Sequence, residues 1–388
     1  MPRLRITSAP AITGFSFAAM FFLGFGVAIV GAAARNVGIP AEKVGILLTA
    51  QHLGFFLSVA FAGSLADRYS KPLVLAAGSV AVAIGFGGFY LWPSLLVNVG
   101  FMFLLGVGIG VYEGVSDALI MDLHPNRKSL FVNLNHFFTT LGSLMITAYL
   151  IFLQMAWRLS MNQATIAVVL LGVLFAISRQ ERDPGPAAET SEPPVRTLPE
   201  LLRSPSILLL MLAILCAVGI ELGSIAILTT YLMELRGFTQ LTSKVGLLLF
   251  IAGFGVGRVA LGALIRDEAE RRWIIGCFGA SIVMTMLLYT VQSTPFLYVL
   301  AFGSGLAMSV LLATIIALTR KMYPEHSGAA IGLVKMGIPV GGMLLPLLLS
   351  GATAAFSLQI GLLVFPVGAA VGGVAVLALP TRPGDALG

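Results

Sequence analysis

The sequence predicts an all-α integral membrane protein of twelve transmembrane helices arranged as two pseudo-symmetric six-helix bundles. Three observations carry that prediction. The 388 residues are 58% hydrophobic and 10% charged, where a soluble domain carries roughly 25% charge. Apolar stretches near or above the ~18 residues that cross a bilayer as a helix recur twelve times. One long polar segment divides them six and six.

The first span, 13–34, follows the basic start MPRLR without a clear small-residue cleavage site, so it reads as a retained helix rather than a signal peptide. The second, 44–66, runs into the charged turn Asp67-Arg68, and the third, 72–92, starts after Lys71. The fourth, 94–121, is long and carries Glu113 and Asp117; the fifth, 130–155, carries Asn133, Asn135 and His136. The sixth, 161–178, is the shortest and ends before Arg179. Next comes SRQERDPGPAAETSEPPVRTLPELLRSPS, whose Pro, Glu and Arg content suits a flexible connector. The second set is 206–233, 244–265, 273–292, 295–319, 327–350 and 355–379. Pro339, Pro346 and Pro366 are expected to kink the last two. The expected domains are therefore a bundle over 1–178, a cytoplasmic linker over 179–205 and a bundle over 206–388.

Charge sets the orientation. With both termini cytoplasmic, the inner segments hold sixteen of the 23 basic residues, the outer loops five, and Arg258 and Lys335 fall inside spans. That bias is the positive-inside pattern, so the net charge of +6 reports topology and not a nucleic-acid partner. The expected location is the cell (cytoplasmic) membrane, with the lipid bilayer as surroundings and a monomer as the working unit. Cys216 and Cys277 lie in apolar spans and read as packing thiols. The four histidines, at 52, 124, 136 and 326, are too scattered for a metal site. No cofactor is expected beyond a proton as coupling ion.

The two sets of spans look like a parallel repeat. At an offset of 199, Gly24, Gly38, Gly54, Gly63, Gly106 and Gly142 meet Gly223, Gly237, Gly253, Gly262, Gly305 and Gly341, and Pro125 meets Pro324. Glycine abundance alone gives roughly two or three such matches.

After span two the chain reads Gly63-Ser-Leu65-Ala-Asp67-Arg68-Tyr-Ser-Lys71. This resembles the G-x-L-x-D-R-x-G-R/K signature of major facilitator transporters, with Ser70 in place of the usual glycine and Pro72 in place of a base. The resemblance implies that Gly63 permits close helix contact, that Asp67 meets a helix N-terminus, and that Arg68 pairs with an acid at the inner end of span four, for which Asp122 is the candidate. It also implies two parallel six-helix halves with a site near mid-membrane. A narrower resemblance, to the fucose permease group of sugar–proton symporters, rests on G-I-G-V-Y-E113-G-V-S-D117, N133-L-N135-H136-F-F-T-T-L-G142, G219-I-E221…Y231-L, G255-V-G257-R258 and Y323-P-E-H-S327-G328. Span one lacks the polar residues of that group, which argues against fucose itself.

Charges at membrane depth cost at least a few kcal/mol, and they mark ion or substrate pathways. Glu113 and Asp117, at i and i+4, share one helix face. Glu113 is the first candidate for proton coupling, because removal from water favours the protonated form of a carboxyl. Asp117 and His136 complete the coupling set; imidazole suits a relay. Glu221, Asn133, Asn135, Lys335, Gln51, Tyr112 and Tyr231 are the candidate substrate contacts, and Arg258 belongs to a helix-packing motif. The function expected is secondary active transport of a small polar solute, a sugar or polyol, by proton-coupled alternating access. The alternatives are export of amphiphilic compounds, or movement of an organic anion held by Lys335 and Arg258. No intramembrane protease, metal or lipid-transferase motif is present, so an enzyme is not expected.

Overall fold

The computed structural model describes residues 6–179, 201–265, 269–324 and 327–380, with all side chains in them but those of residues 60, 63, 64, 67, 128, 129 and 133. Among these residues the regular structure is helical, apart from one isolated bridge between Ile6 and Ser178. The first six helices are α1 (Ala9–Val37), α2 (Ala41–Arg68), α3 (Lys71–Gly88), α4 (Leu95–Leu123), α5 (Lys128–Phe152) and α6 (Trp157–Ile177). The second set is α7 (Pro205–Arg236), α8 (Gln240–Ala260), α9 (Glu270–Thr290), α10 (Thr294–Met308), α11 (Leu311–Met322), α12 (Ser327–Lys335), α13 (Gly337–Ala355), α14 (Leu358–Gly361) and α15 (Val364–Leu377). Eleven helical stretches among the described residues are long and apolar enough to cross a membrane, and α2, with 28 residues, fills the place of the second span. The last three spans are each built from two consecutive helices.

Local sequence explains where helices begin and end. Serine in extended conformation followed by proline in the first turn opens α1, α3, α7 and α10, since a first-turn proline gives up no helical hydrogen bond. Ser70 and Pro72, the two departures from the family signature, thereby become the start of α3. Gly38 and Gly237 close α1 and α7 in the left-handed conformation, at φ +80° and +69°, which glycine adopts without steric cost. Between α12 and α13 the helix breaks at Met336. Pro339 has no N–H to offer the Lys335 carbonyl four residues back, and its ring crowds that carbonyl.

The chain forms two compact units. One comprises α1–α6 together with Thr239–Lys244, and the other α7, the remainder of α8, and α9–α15. In the first, α1 packs on α5, α2 on α4, and α3 on both α4 and α6. Ile6 N donates to Ile177 O (3.1 Å) and Arg179 N to Ile6 O (2.9 Å), so the start of α1 and the end of α6 share a side, as six crossings require. In the second, α7 packs on α13 and α15, and α9 on α10 and α15. A Ser204–Tyr323 hydroxyl pair at 2.7 Å joins the start of α7 to the end of α11. Arg271, at the start of α9, donates to the carbonyls of Leu377 (2.9 Å) and Leu379 (2.8 Å) at the end of α15.

The repeat seen in the sequence recurs as packing inside each unit. A Cβ on Gly54 would strike the Phe103 carbonyl, and one on Gly253 the Phe302 carbonyl. A Cβ on Gly106 would meet Gln51 O and Phe55 N; one on Gly305 would meet Phe250 O and Phe254 N. Every one of these partners is also 199 residues apart. At the next turn the glycine changes sides: Gly110 faces Ser58, whereas Gly257 faces Ser309, so each crossing keeps one small residue and exchanges which helix supplies it. The correspondence fails at Gly24 and Gly223, which face Thr139 of α5 and Phe365 of α15.

An ion pair repeats with its polarity reversed. Lys71 Nζ meets Asp122 Oδ2 at 2.5 Å in the first unit, and Lys321 Nζ meets Glu270 Oε2 at 3.4 Å in the second. Position 71 corresponds to 270, and 122 to 321. Asp122, expected opposite Arg68, meets Lys71 at the first turn of α3. Arg68 is exposed at the last turn of α2, and the side chains of Gly63 and Asp67 lie outside the described positions.

Candidate functional site: a polar chain across three helices

Polar side chains at one level of the first unit form a continuous line. α4 presents Asp117 six residues before its end, α5 presents His136 eight residues after its start, and α1 presents Ser16 seven residues after its start. At a helical rise of 1.5 Å per residue, these levels are about 9, 12 and 10 Å from the respective helix ends. His136 Nε2 lies 2.8 Å from Asp117 Oδ2. Asn135 Nδ2 donates to Asp117 Oδ1 at 2.9 Å and to Ser116 Oγ at 2.8 Å. Ser116 Oγ lies 2.6 Å from Ser16 Oγ.

Proton bookkeeping fixes the Asn135 part of the line. Both amide protons of Asn135 are spent, which fixes the orientation of its amide. Ser116 accepts from Asn135, so its own proton is available to Ser16. Asn135 Oδ1 is left buried with no hydrogen-bond partner among the described residues. An acceptor of that kind costs about 1–3 kcal/mol unless something donates to it.

Asp117 and His136 are half-exposed, at 24% and 36%, so the pair is reachable while its neighbours Ser16, Ser116 and Asn135 are wholly buried. The short contact needs one shared proton. A neutral imidazole supplies that proton from Nε2 and leaves the pair with one negative charge; one further proton makes the pair electrically neutral. Glu113 sits half-buried one turn along the same face of α4. The side chain of Asn133 lies outside the described positions.

Three sequence candidates for substrate contact brace neighbouring helices in this structure. Tyr112 is fully buried, and its hydroxyl donates to Ser79 Oγ at 2.7 Å, tying α4 to α3. Tyr231 is equally buried, donates to the Leu288 carbonyl of α9, and carries the Arg236 guanidinium 5.1 Å above its ring. Gln51 is inaccessible, with Nε2 on the Gly26 carbonyl of α1 at 2.9 Å. Both tyrosine hydroxyls are consumed in holding neighbouring helices, whereas Gln51 Oε1 is buried with no hydrogen-bond partner among the described residues.

The second unit holds the remaining candidates. Glu221 is half-buried at the middle of α7, within electrostatic reach of Arg258. Arg258 itself is exposed and lies over its own helix neighbour Phe254 at 4.5 Å. Lys335 is exposed at the last residue of α12, beside the helix break.

Two polar contacts escaped the sequence reading. Lys244, at the first position of the eighth expected span, is wholly buried, with Nζ 2.6 Å from Asn36 Oδ1; Asn36 Nδ2 donates in turn to Gln240 Oε1 at 2.9 Å. A lysine at a span edge reads as a snorkelling side chain, and no local signal places Asn36 beside it. The other is His124, just past the end of α4. Thr13 gives its proton to the Ala9 carbonyl (2.8 Å), so His124 Nε2 is the donor in their 2.8 Å contact. The imidazole stacks on Phe131 at 3.5 Å, and burial lowers its pKa below the usual histidine value.

Comparison with known proteins agrees with this architecture. Among solved structures, the nucleoside transporter NupG superposes with a TM-score of 0.80 at 12% identity over 95% of this chain and 99% of that one. The xylose transporter XylE of E. coli does so at 0.71 and 13% over 98% of each, and the E. coli fucose:proton symporter FucP at 0.60 and 18% over 93% and 97%. At these identities the likeness is one of fold. Among sequences, the chain is 27% identical over 146 residues to the putative metabolite transport protein YwtG of Bacillus subtilis, covering 36% of this chain and 32% of that protein. It is 32% identical over 126 residues to the 4-hydroxybenzoate transporter PcaK of Pseudomonas aeruginosa, covering 31% and 26%. The chain thus matches about a third or less of the length of these relatives. The model of the Major Facilitator Superfamily matches residues 11–295 and 269–387. With both six-span sets inside that match and a multi-pass helical fold shared with known carriers, the chain belongs to the Major Facilitator Superfamily of membrane transporters.

Proposed function

We propose that this transporter moves a small polar solute, a sugar or polyol, by proton-coupled alternating access, and that the Asp117–His136 pair is its coupling element. The observation that carries the reading is the line His136–Asp117–Asn135–Ser116–Ser16, which joins a titratable pair to three buried polar side chains on α1, α4 and α5. A proton arriving at the pair removes its negative charge and the cost of holding it at membrane depth. The protonated pair then crosses states as a neutral group, and it releases the proton where the other side opens. Asn135 Oδ1 is the natural acceptor for a solute hydroxyl in the loaded state, because it gains a donor there. Glu113, one turn deeper on the same face, receives the proton or the solute next. The charge bias supports a cell-membrane location with both termini cytoplasmic.

The test is uptake into proteoliposomes carrying a proton gradient. Asp117→Asn and His136→Gln are each expected to abolish gradient-driven accumulation while solute exchange without a gradient continues. Accumulation that persists in both variants removes the pair from coupling. Glu113→Gln, run in parallel, shows whether coupling extends one turn deeper.

A second reading is transport of an organic anion. It is favoured by the exposed cations Lys335 and Arg258 in the second unit and by similarity to PcaK, a 4-hydroxybenzoate transporter. Competition separates the two: aromatic carboxylates, and not neutral sugars, would then block uptake, and Lys335→Gln would raise KM for the anion.

A further inference from the structure

The second unit carries an apolar groove with one charged end. It lies between α9 and α10, closed off by Leu261 beyond α8, and has a volume of about 530 Å³. Its floor runs from Gly276 through Ala280 to Met284 on α9, with Gly303 opposite on α10. Gly276 and Ala280 are exposed, and a Cβ at Gly276 would meet nothing within 4 Å, so the groove is open to the surroundings of the helix bundle. Arg272 and Trp273 line its end at the first turn of α9.

That end differs from the unit's other apolar groove. A second groove of about 370 Å³, between α7 and α15, is lined by Leu209, Leu212, Val367, Val371, Val374 and small neighbours alone. It is what any lipid-facing seam offers. The first groove adds a cation and an indole N–H. Of the three consecutive charged residues at the start of α9, Glu270 is engaged by Lys321 and Arg271 by the carbonyls that end α15. Arg272 is exposed and has no ion-pair partner among the described residues. From Trp273 to Met284 the groove spans eleven residues of helix, about 16 Å at 1.5 Å per residue. A phosphate beside Arg272 with an acyl chain running along the floor matches this arrangement of charge and apolar length.

We propose that this groove is a binding site for an anionic phospholipid of the leaflet on which Arg272 lies, with the headgroup phosphate on Arg272, the indole of Trp273 at the glycerol level, and one acyl chain against Gly276 and Ala280. The charge bias makes that leaflet the cytoplasmic one. Anionic lipids and basic side chains attract at the membrane surface, and tryptophan anchors at the same level. The site is separate from the polar line on α1, α4 and α5.

The full-length protein in nanodiscs tests it. Phosphatidylglycerol with brominated acyl chains is titrated into a phosphatidylcholine background, and quenching of Trp273 is read as the difference between the parent and Trp273→Phe. Half-maximal quenching is expected at a phosphatidylglycerol fraction about fivefold higher in Arg272→Gln than in the parent, the effect of losing one basic residue at the surface. Gly276→Leu fills the groove from open space and is expected to weaken quenching similarly, whereas Ala370→Leu in the second groove leaves it unchanged. The same half-maximal fraction in Arg272→Gln as in the parent, or equal quenching by brominated phosphatidylcholine at equal fractions, overturns the proposal. Because Arg272 is exposed, its variant folds independently of the outcome at Gly276.

Discussion

Acids and a histidine inside apolar helices are expensive, and Asp117 and His136 do meet. Tyr112 and Tyr231 advertise themselves in the same way, yet a buried tyrosine needs only one acceptor, and both found theirs on a neighbouring helix. The distinction lies in what the other side of the bond can do. Ser79 and a backbone carbonyl do not titrate, whereas Asp117 does. Tyr112→Phe is therefore expected to cost the stability of one interhelical membrane hydrogen bond, about 0.6 kcal/mol and at most about 1.7, with uptake rates unchanged. Asn135→Ala strips donors from Asp117 and Ser116 together. It is expected to lower proton-driven uptake at least about tenfold, since hydrogen bonds to a charged group carry roughly 1.5–3 kcal/mol. Thermal unfolding in detergent and uptake in proteoliposomes, measured on both variants, separate the two roles. Asn135→Ala with parental uptake would leave Asp117 and His136 acting without the line.

At the scale of elements, the glycine pattern proved the most legible feature, because contact between helix backbones leaves no room for a side chain. Gly54, Gly106, Gly253 and Gly305 repeat as residues and as crossings. Spans whose edges are set by partners were harder to read. The sixth begins at Trp157, four residues before the apolar run, because Arg158 donates to Phe89 O (3.0 Å) and to Tyr90 O and so ends inside the helix. Gly106→Val and Gly305→Val are each expected to lower thermal stability by the cost of overpacking, about 1–3 kcal/mol or more, and by similar amounts, since their backbone contacts correspond. Gly276→Leu, which enters open space, should cost under about 0.5 kcal/mol, as a surface substitution does. Unequal losses at 106 and 305 would show that matching contacts do not mean matching strain. The exposed Lys71–Asp122 pair belongs to this scale too. Surface pairs contribute about 0–1 kcal/mol, so the reversed pair Lys71→Glu with Asp122→Lys, which copies the polarity of Glu270 and Lys321, should unfold at nearly the parental temperature.

Across the whole molecule, packing repeats and chemistry does not. The offset that superimposes glycine crossings and an ion pair sends Glu113 to Leu312, Asp117 to Ile316 and His136 to Lys335. The α2–α4 and α8–α10 crossings thus share their contacts, while the titratable groups differ: an acid–imidazole pair in one unit, two cations and Glu221 in the other. Sequence periodicity reveals the first kind of information because every copy obeys the same contact geometry. It reveals the second poorly, since Ser16 and Ser116 gain meaning only from helices brought together in space. If the asymmetry is functional, the two units divide the work, with the proton handled by the first and the solute's charge or hydroxyls felt by the second. Lys335→Gln is then expected to shift KM for the solute severalfold while the ratio of accumulation to proton gradient stays at the parental value. Asp117→Asn is expected to do the reverse, lowering that ratio to equilibration while KM for exchange changes little. Measuring both parameters for both variants in one proteoliposome preparation decides the matter, because loss of gradient-driven accumulation in Lys335→Gln would spread coupling over both units and remove the division.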